Sequence, residues 1–199
     1  LIKKLALATG NSHKLSELKL ILEKFSWEVY SPLELGVIGF SPIEDGTSFQ
    51  ENASIKSNAL FQLTKIPSLA DDSGLIVNAL NGEPGIYSAR YGGEGLSDRE
   101  RALFLLDRMC NKSDRSAKFV CCLAYTDTSG TIFFDGFVEG EIGKNYVDGG
   151  GFGYDPIFFY PPKNCHFSEL SPKEKNSLSH RGIALKKFSN YIQSLESNS

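Results

Sequence analysis

Apolar and polar positions along the chain alternate between strand and helix spacing. Ile2, Leu5 and Leu7 mark a short strand over residues 1–8, which turns through Thr9-Gly10-Asn11 into a helix. That helix carries Leu15, Leu18, Leu22 and Phe25 on one side at near-helical steps, with Asn11 or Ser12 as its natural N-cap. A second strand fits residues 27–30. Residues 31–46 form a loop punctuated by Pro32, Gly36, Gly39, Pro42 and Gly46. Ser48-x-x-Glu51 reads as a capping box that opens a helix whose inner stripe is Phe49, Ala53, Lys56, Leu60 and Leu63.

Ile66, Leu69 and Ala70 then run straight into Asp71-Asp72-Ser73-Gly74, a poor way to build a core and a good way to present charge at a strand's end. A second capping box, Ser97 with Glu100, opens a helix with Ala102, Leu105, Leu106 and Met109 inward. Strands over residues 117–126 and 131–138 follow, joined by a hairpin through Asp127-Thr128-Ser129-Gly130. The first is apolar on both faces, so it belongs inside a sheet, with Cys121 and Cys122 as core residues. A glycine-rich run, Gly149 to Pro156, precedes a strand over residues 157–160. Ser171-Pro172-x-Glu174 starts another helix, and Ser179 caps the last, whose buried stripe is Leu185, Phe188, Ile192 and Leu195.

Length and composition narrow this picture. The 199 residues are 41% hydrophobic, enough for a sizeable core, and suggest one domain spanning residues 1–199. The net charge of -3, from 24 acids and 21 bases, lacks the basic footprint of a nucleic-acid binder. Any anionic ligand must therefore be met by local positive charge. The four cysteines show no metal-ligand spacing. With no signal-peptide pattern and no apolar run of membrane-spanning length, a reducing cytoplasm is the expected setting and no membrane partner is expected.

Several stretches carry candidate chemistry. If residues 70–72 are extended, Asp71 and Asp72 point to opposite faces, so only one of them can work in a given cleft. Paired acids also occur as surface turns or caps. The Thr9–Lys14 turn offers backbone N–H groups and a positive helix end, where phosphate oxygens bind well, and Lys14 adds a full charge; an ordinary βα turn is the plainer reading. Lys56 interrupts an apolar stripe, which points either to snorkelling or to a lysine reaching into a charged cleft. Phe152 among glycines is a candidate stacking platform with Asp155 as a fixed acceptor, or the run is simply a turn. His180 and Arg181 put donors in the first turn of a helix against its dipole, which suggests an anionic or carbonyl-rich partner.

Taken together and in order, these motifs resemble the inosine triphosphate pyrophosphatase family, the XTP/dITP pyrophosphatases. The carriers are Thr9-Gly10-Asn11-x-x-Lys14, Phe49-x-Glu51-Asn52-Ala53-x-x-Lys56, Ala70-Asp71-Asp72-Ser73-Gly74 and Pro84-Gly85-Ile86-Tyr87-Ser88-Ala89-Arg90-Tyr91, then Gly151-Phe152-Gly153-Tyr154-Asp155-Pro156 and Glu174-Lys175-Asn176-x-x-Ser179-His180-Arg181-Gly182. The resemblance covers nearly the whole chain. It implies an elongated α/β fold with a mixed sheet and two lobes flanking a deep substrate cleft, a magnesium requirement and a homodimer. It also implies hydrolysis of non-standard purine nucleoside triphosphates (dITP, ITP, XTP) to the monophosphate and pyrophosphate.

Residue by residue, Asp72 matches the family's proton acceptor and metal ligand, and Glu44 stands where a second acidic ligand is expected, with Asp45 as its alternative. Thr9, Gly10, Asn11, Ser12, His13 and Lys14 match the triphosphate-binding turn, and Lys56 matches a lysine of the phosphate side. Ser73, Phe152, Gly153, Tyr154, Asp155, Lys175, His180 and Arg181 match the other substrate positions. On this reading Asp72 orients or deprotonates a water that attacks the α-phosphorus. His180, Arg181 and backbone N–H groups of the glycine-rich loop donate to the purine 6-carbonyl.

Overall fold

The structure, a computed structural model, describes residues 3–22 and 27–197; Ile2 and Phe25 of the expected elements lie outside them. The main elements are β1 (Lys3–Leu7), α1 (Ser12–Leu22), β2 (Trp27–Tyr30), α2 (Phe49–Thr64), β3 (Ser68–Val77), α3 (Asp98–Arg108), β4 (Ser116–Asp127) and β5 (Gly130–Ile142). They are followed by β6 (Phe158–Tyr160), β7 (Cys165–His166), α4 (Pro172–Leu178) and α5 (His180–Ser197). The strands form one mixed sheet in the order β2-β1-β3-β4-β5-β6-β7. Pairing is parallel from β2 through β1 to β3 and antiparallel from β5 through β6 to β7.

By contacts the chain divides into two compact units, each assembled from separate segments. The first comprises Leu1–Asp72, Cys121–Asp135 and Ile183–Ser199. Here α1 and α5 bury Leu18, Leu22, Leu185, Phe188 and Ile192 against Leu5, Leu7, Leu69 and Leu123 on one sheet face. On the other face, Leu60 of α2 packs with Ala6, Ala8 and Ala70, and Ala53 packs with Cys122 and Ala124. The period-2 alternation of β3 thus sends Leu69 and Ala70 to opposite cores. The second unit, Ser73–Val120 and Gly136–Gly182, is centred on Leu75, Leu105, Met109, Phe119, Phe158 and Phe167.

Most expected elements are present, with informative exceptions. The acids do not end a strand: β3 continues through Asp71–Gly74 to Val77. What ends is its neighbour, because the parallel pairing with β1 stops at Leu7 opposite Leu69. β5 runs to Ile142, beyond the expected residue 138, and two residues, Thr128 and Ser129, separate it from β4. Leu63, expected inward on α2, is exposed, while Asn52 and Ser57 are buried in its place. Ser48 caps α2 by accepting from the Glu51 N–H, but Glu51 returns its bond to the N–H and hydroxyl of Thr47, one residue before the cap. The boxes of Ser97 with Glu100 and Ser171 with Glu174 close reciprocally.

Candidate active site

In the first unit, chemistry gathers where β1 ends and β3 continues, at the carboxyl end of parallel strands where α/β sheets bind ligands. The Ala8 N–H donates to Leu69 O at 2.8 Å, which brings the turn after β1 alongside the acids. In that turn Thr9 is buried and its hydroxyl accepts from the Asn11 N–H, while Gly10, Asn11 and Ser12 are exposed. Asn11 is the N-cap: its Oδ1 accepts from the Lys14 N–H at 3.1 Å and its carbonyl from Leu15. The His13 side chain lies outside the described residues.

Each acid of the pair is matched to a lysine on its own face of β3. Lys14 Nζ donates to Asp71 Oδ1 and, at 3.4 Å, to the Asp71 carbonyl. The thiol of Cys121 donates to Asp71 Oδ2 at 3.3 Å, so this carboxylate is sealed between α1 and β4. Asp71 was not among the expected functional residues, nor was its contact with Cys121. On the opposite face Lys56 Nζ donates to Asp72 Oδ1 at 3.2 Å and to Glu44 Oε2 at 2.8 Å. Lys56 is only 8% exposed, so it is not snorkelling; it bridges two carboxylates. Glu44 reaches this group, whereas Asp45 is exposed.

The loop that carries Glu44 is pinned by α2. The Gly46 N–H donates to Asn52 Oδ1 at 2.9 Å, and a Cβ at position 46 would lie 2.7 Å from that oxygen. Glycine is required for this approach. Asn52 is therefore a positioning residue, signalled only by its place in the Glu51-Asn52 motif.

Burial pushes the Asp72 carboxyl above the usual carboxylate range, and Lys56 and Lys14 only partly oppose it. Burial also works against the charge on Lys56, yet Asp72 and Glu44 outweigh it and hold the ammonium above its ordinary pKa. Asp72 Oδ2 is buried with no hydrogen-bond partner in the described structure. A buried carboxylate oxygen left this way ordinarily costs about 1–3 kcal/mol or more, which marks it as a position for a missing partner. Two carboxylates with hard oxygens and one unfilled lone-pair site fit a cation that takes one or two carboxylates. Among the described residues, no group of three or more His, Cys, Asp or Glu side chains is placed to hold a metal.

The second unit holds the other expected residues. Ser73 is partly exposed on β3. Asp155 is buried, and its Oδ2 accepts from Lys175 Nζ at 2.6 Å and from the Phe152 N–H at 2.8 Å. Gly151 sits at φ +83°, and a Cβ there would stand 2.2 Å from Asp155 Oδ2, so the loop closes on its own carboxylate only with glycine. Phe152 is half-buried. Lys175 Nζ lies 4.5 Å and Arg181 Cζ 5.6 Å from its ring centroid, a cation–π grouping. His180 is buried, its ring stacked on Phe119 at 4.8 Å and 13°. The Gly182 N–H donates to Ser179 Oγ, so Ser179 caps α5 as expected, with His180 and Arg181 in the first turn.

Two features of this loop bear on the roles expected of it. Its backbone N–H groups were expected to face the purine, but that of Phe152 is taken by Asp155, that of Gly153 by Asp98 of α3 at 2.8 Å and that of Gly150 by Ser168 O. Two carboxylates, from the loop and from α3, and one backbone carbonyl satisfy these three donors internally. The Tyr154 side chain is buried in the core, its hydroxyl donating to Ser88 O at 2.8 Å, so it anchors the loop.

A family model described as the Ham1 family matches residues 5–191. A dITP/XTP pyrophosphatase of Leptospira biflexa is 46% identical over 98% of this chain and 98% of its own length. A dITP/XTP pyrophosphatase of Vibrio cholerae is 45% identical over 96% of this chain and 98% of its own. Among solved structures, the Ham1 protein of Staphylococcus aureus aligns with a TM-score of 0.88 at 39% identity, covering 96% of this chain and 99% of that one. The family match spans nearly the whole chain and takes in both groups of residues described above: the chain belongs to the Ham1 family.

Proposed function

We propose that this chain is a magnesium-dependent pyrophosphatase that hydrolyses non-standard purine nucleoside triphosphates such as dITP, ITP and XTP to the monophosphate and pyrophosphate, working as a cytoplasmic homodimer. The observation that carries the chemistry is Asp72: buried, raised in basicity and left with an unpartnered Oδ2 beside Glu44 and Lys56. The relatives named dITP/XTP pyrophosphatase support the substrate class.

Lys14, at the N-terminal end of α1, and Lys56 draw in the triphosphate despite the negative total charge. An ammonium has three donors, so the two bonds from Lys14 to Asp71 fix its direction and leave one donor for a phosphate oxygen. Asp72 accepts the proton of a water that attacks the α-phosphorus, and pyrophosphate leaves. Asp72 and Glu44 would hold the magnesium ion, which supplies charge stabilisation at the phosphate oxygens. Phe152 offers a ring face to the purine, and His180 and Arg181 donate to a 6-carbonyl. Adenine presents an amino donor there, and each donor left unpaired costs about 1–3 kcal/mol.

Pyrophosphate release from dITP, XTP, dATP and dTTP, with magnesium and after chelation, tests the reading. Turnover of dITP and XTP should exceed that of dATP by about a hundredfold or more and should vanish without metal. Faster cleavage of dATP or dTTP, or full activity after chelation, would contradict it.

A further inference from the structure

Lys56 stands where a metal ion would compete with it. It leaves the middle of α2 between the fully buried Ala53 and Leu60, and its ammonium donates to both Glu44 Oε2 and Asp72 Oδ1. Its side chain is only 10% exposed, and both bonds hold it against the two acids. We infer that Lys56 is an internal counter-ion that keeps a free divalent cation out of the Glu44–Asp72 pair until a nucleoside triphosphate arrives with it. The inference rests on the metal assignment proposed above.

The argument is one of charge. Two carboxylates and one ammonium carry a single net negative charge in a mostly buried group. A dication alone would turn that group net positive and would sit against an ammonium at close range, where the repulsion is poorly screened. A triphosphate adds several negative charges, enough to serve Lys56 and the metal together. The pair would therefore take the metal as its nucleotide chelate. Without nucleotide, Lys56 satisfies one oxygen of each acid, and Asp72 Oδ2 stays buried and open.

The test follows free Mn²⁺ by electron paramagnetic resonance in nucleotide-free protein: wild type, Lys56→Met, Lys56→Gln and Lys56→Arg, each checked by circular dichroism. Removing the charge in Lys56→Met or Lys56→Gln should tighten Mn²⁺ binding by about tenfold or more. It should also enlarge the rise in thermal midpoint that Mn²⁺ causes, while Lys56→Arg should bind as weakly as wild type. Unchanged or weaker binding in whichever neutral variant folds, or tight binding by Lys56→Arg, overturns the inference. So does wild type that holds free Mn²⁺ as firmly as the Mn²⁺ chelate of a non-hydrolysable α,β-methylene analogue of dITP. Asp72→Asn separates the two levels. If it abolishes Mn²⁺ retention in the presence of the analogue while the Lys56 variants match wild type, only this inference falls. If wild type with the analogue retains no Mn²⁺ beyond what the analogue holds, the metal assignment falls with it.

Discussion

Asp71 and Asp72 are adjacent, chemically identical and both buried, yet they have different surroundings. Strand alternation sends Asp71 to the face covered by α1 and Asp72 to the face covered by α2. Asp71 has a lysine on one oxygen and a thiol on the other. Asp72 shares its lysine with Glu44 and keeps one oxygen without a partner. Burial alone therefore does not separate a structural carboxylate from a chemical one; the state of the last lone pair does. A fully satisfied buried acid orients its neighbours, and an unsatisfied one remains only where something else completes it.

The contrast can be broken at either acid. Asp72→Asn should reduce turnover of dITP by about 10²–10⁴-fold, the range for losing a positioned general base. Binding of a non-hydrolysable dITP analogue should survive; a loss under tenfold would remove Asp72 from the chemistry. Lys14→Ala comes next, because it strands a fully buried carboxylate: about 3 kcal/mol of stability should go, read by urea titration. The same variant should raise KM for dITP, and an unchanged midpoint together with an unchanged KM would contradict both of its roles.

Asp71→Asn keeps an acceptor for Lys14 and should cost about 1–3 kcal/mol of stability, with turnover far less affected than in Asp72→Asn. Equal losses of turnover in the two variants would erase the distinction between the acids. The smallest effect belongs to a third lysine–acid pair, Lys19 with Glu34, which is exposed. The Ser31 N–H first, and then Lys19, hold Glu34 at about 2, below its reference value of 4.5. A depressed carboxylate contributes stability above its unfolded value and loses it as pH falls towards 2. Glu34→Gln should therefore cost only a few tenths of a kcal/mol at neutral pH, given solvent screening, and the gap should narrow on acidification. A gap that stays constant from neutral pH down to about pH 3 would show that the titration contributes nothing.

Much of this was legible in the residues. Capping pairs located α3 and α4, and a lysine breaking the apolar stripe of α2 pointed to the Lys56 group. Alternation separated the two acids onto opposite faces, but the sequence could not reveal that α1 would return Lys14 to Asp71, fifty-seven positions away. The same limit hid Asp98, whose carboxylate crosses from α3 to take the Gly153 N–H. Leu63 shows the converse error: helical spacing placed it inward, while tertiary packing ended the buried stripe at Leu60. Local signals are carried by neighbours in sequence, whereas partners of buried polar groups are chosen by the whole fold.

The central claim is that the open oxygen of Asp72 is the position completed by a metal. Crystals grown with Mn²⁺ and a non-hydrolysable dITP analogue, measured at the manganese absorption edge, test it directly. The predicted anomalous peak lies at coordination distance, about 2 Å, from Asp72 Oδ2 with Glu44 beside it. A peak bound to Asp71, or an Asp72 that binds only protein atoms while the nucleotide is present, would contradict the account.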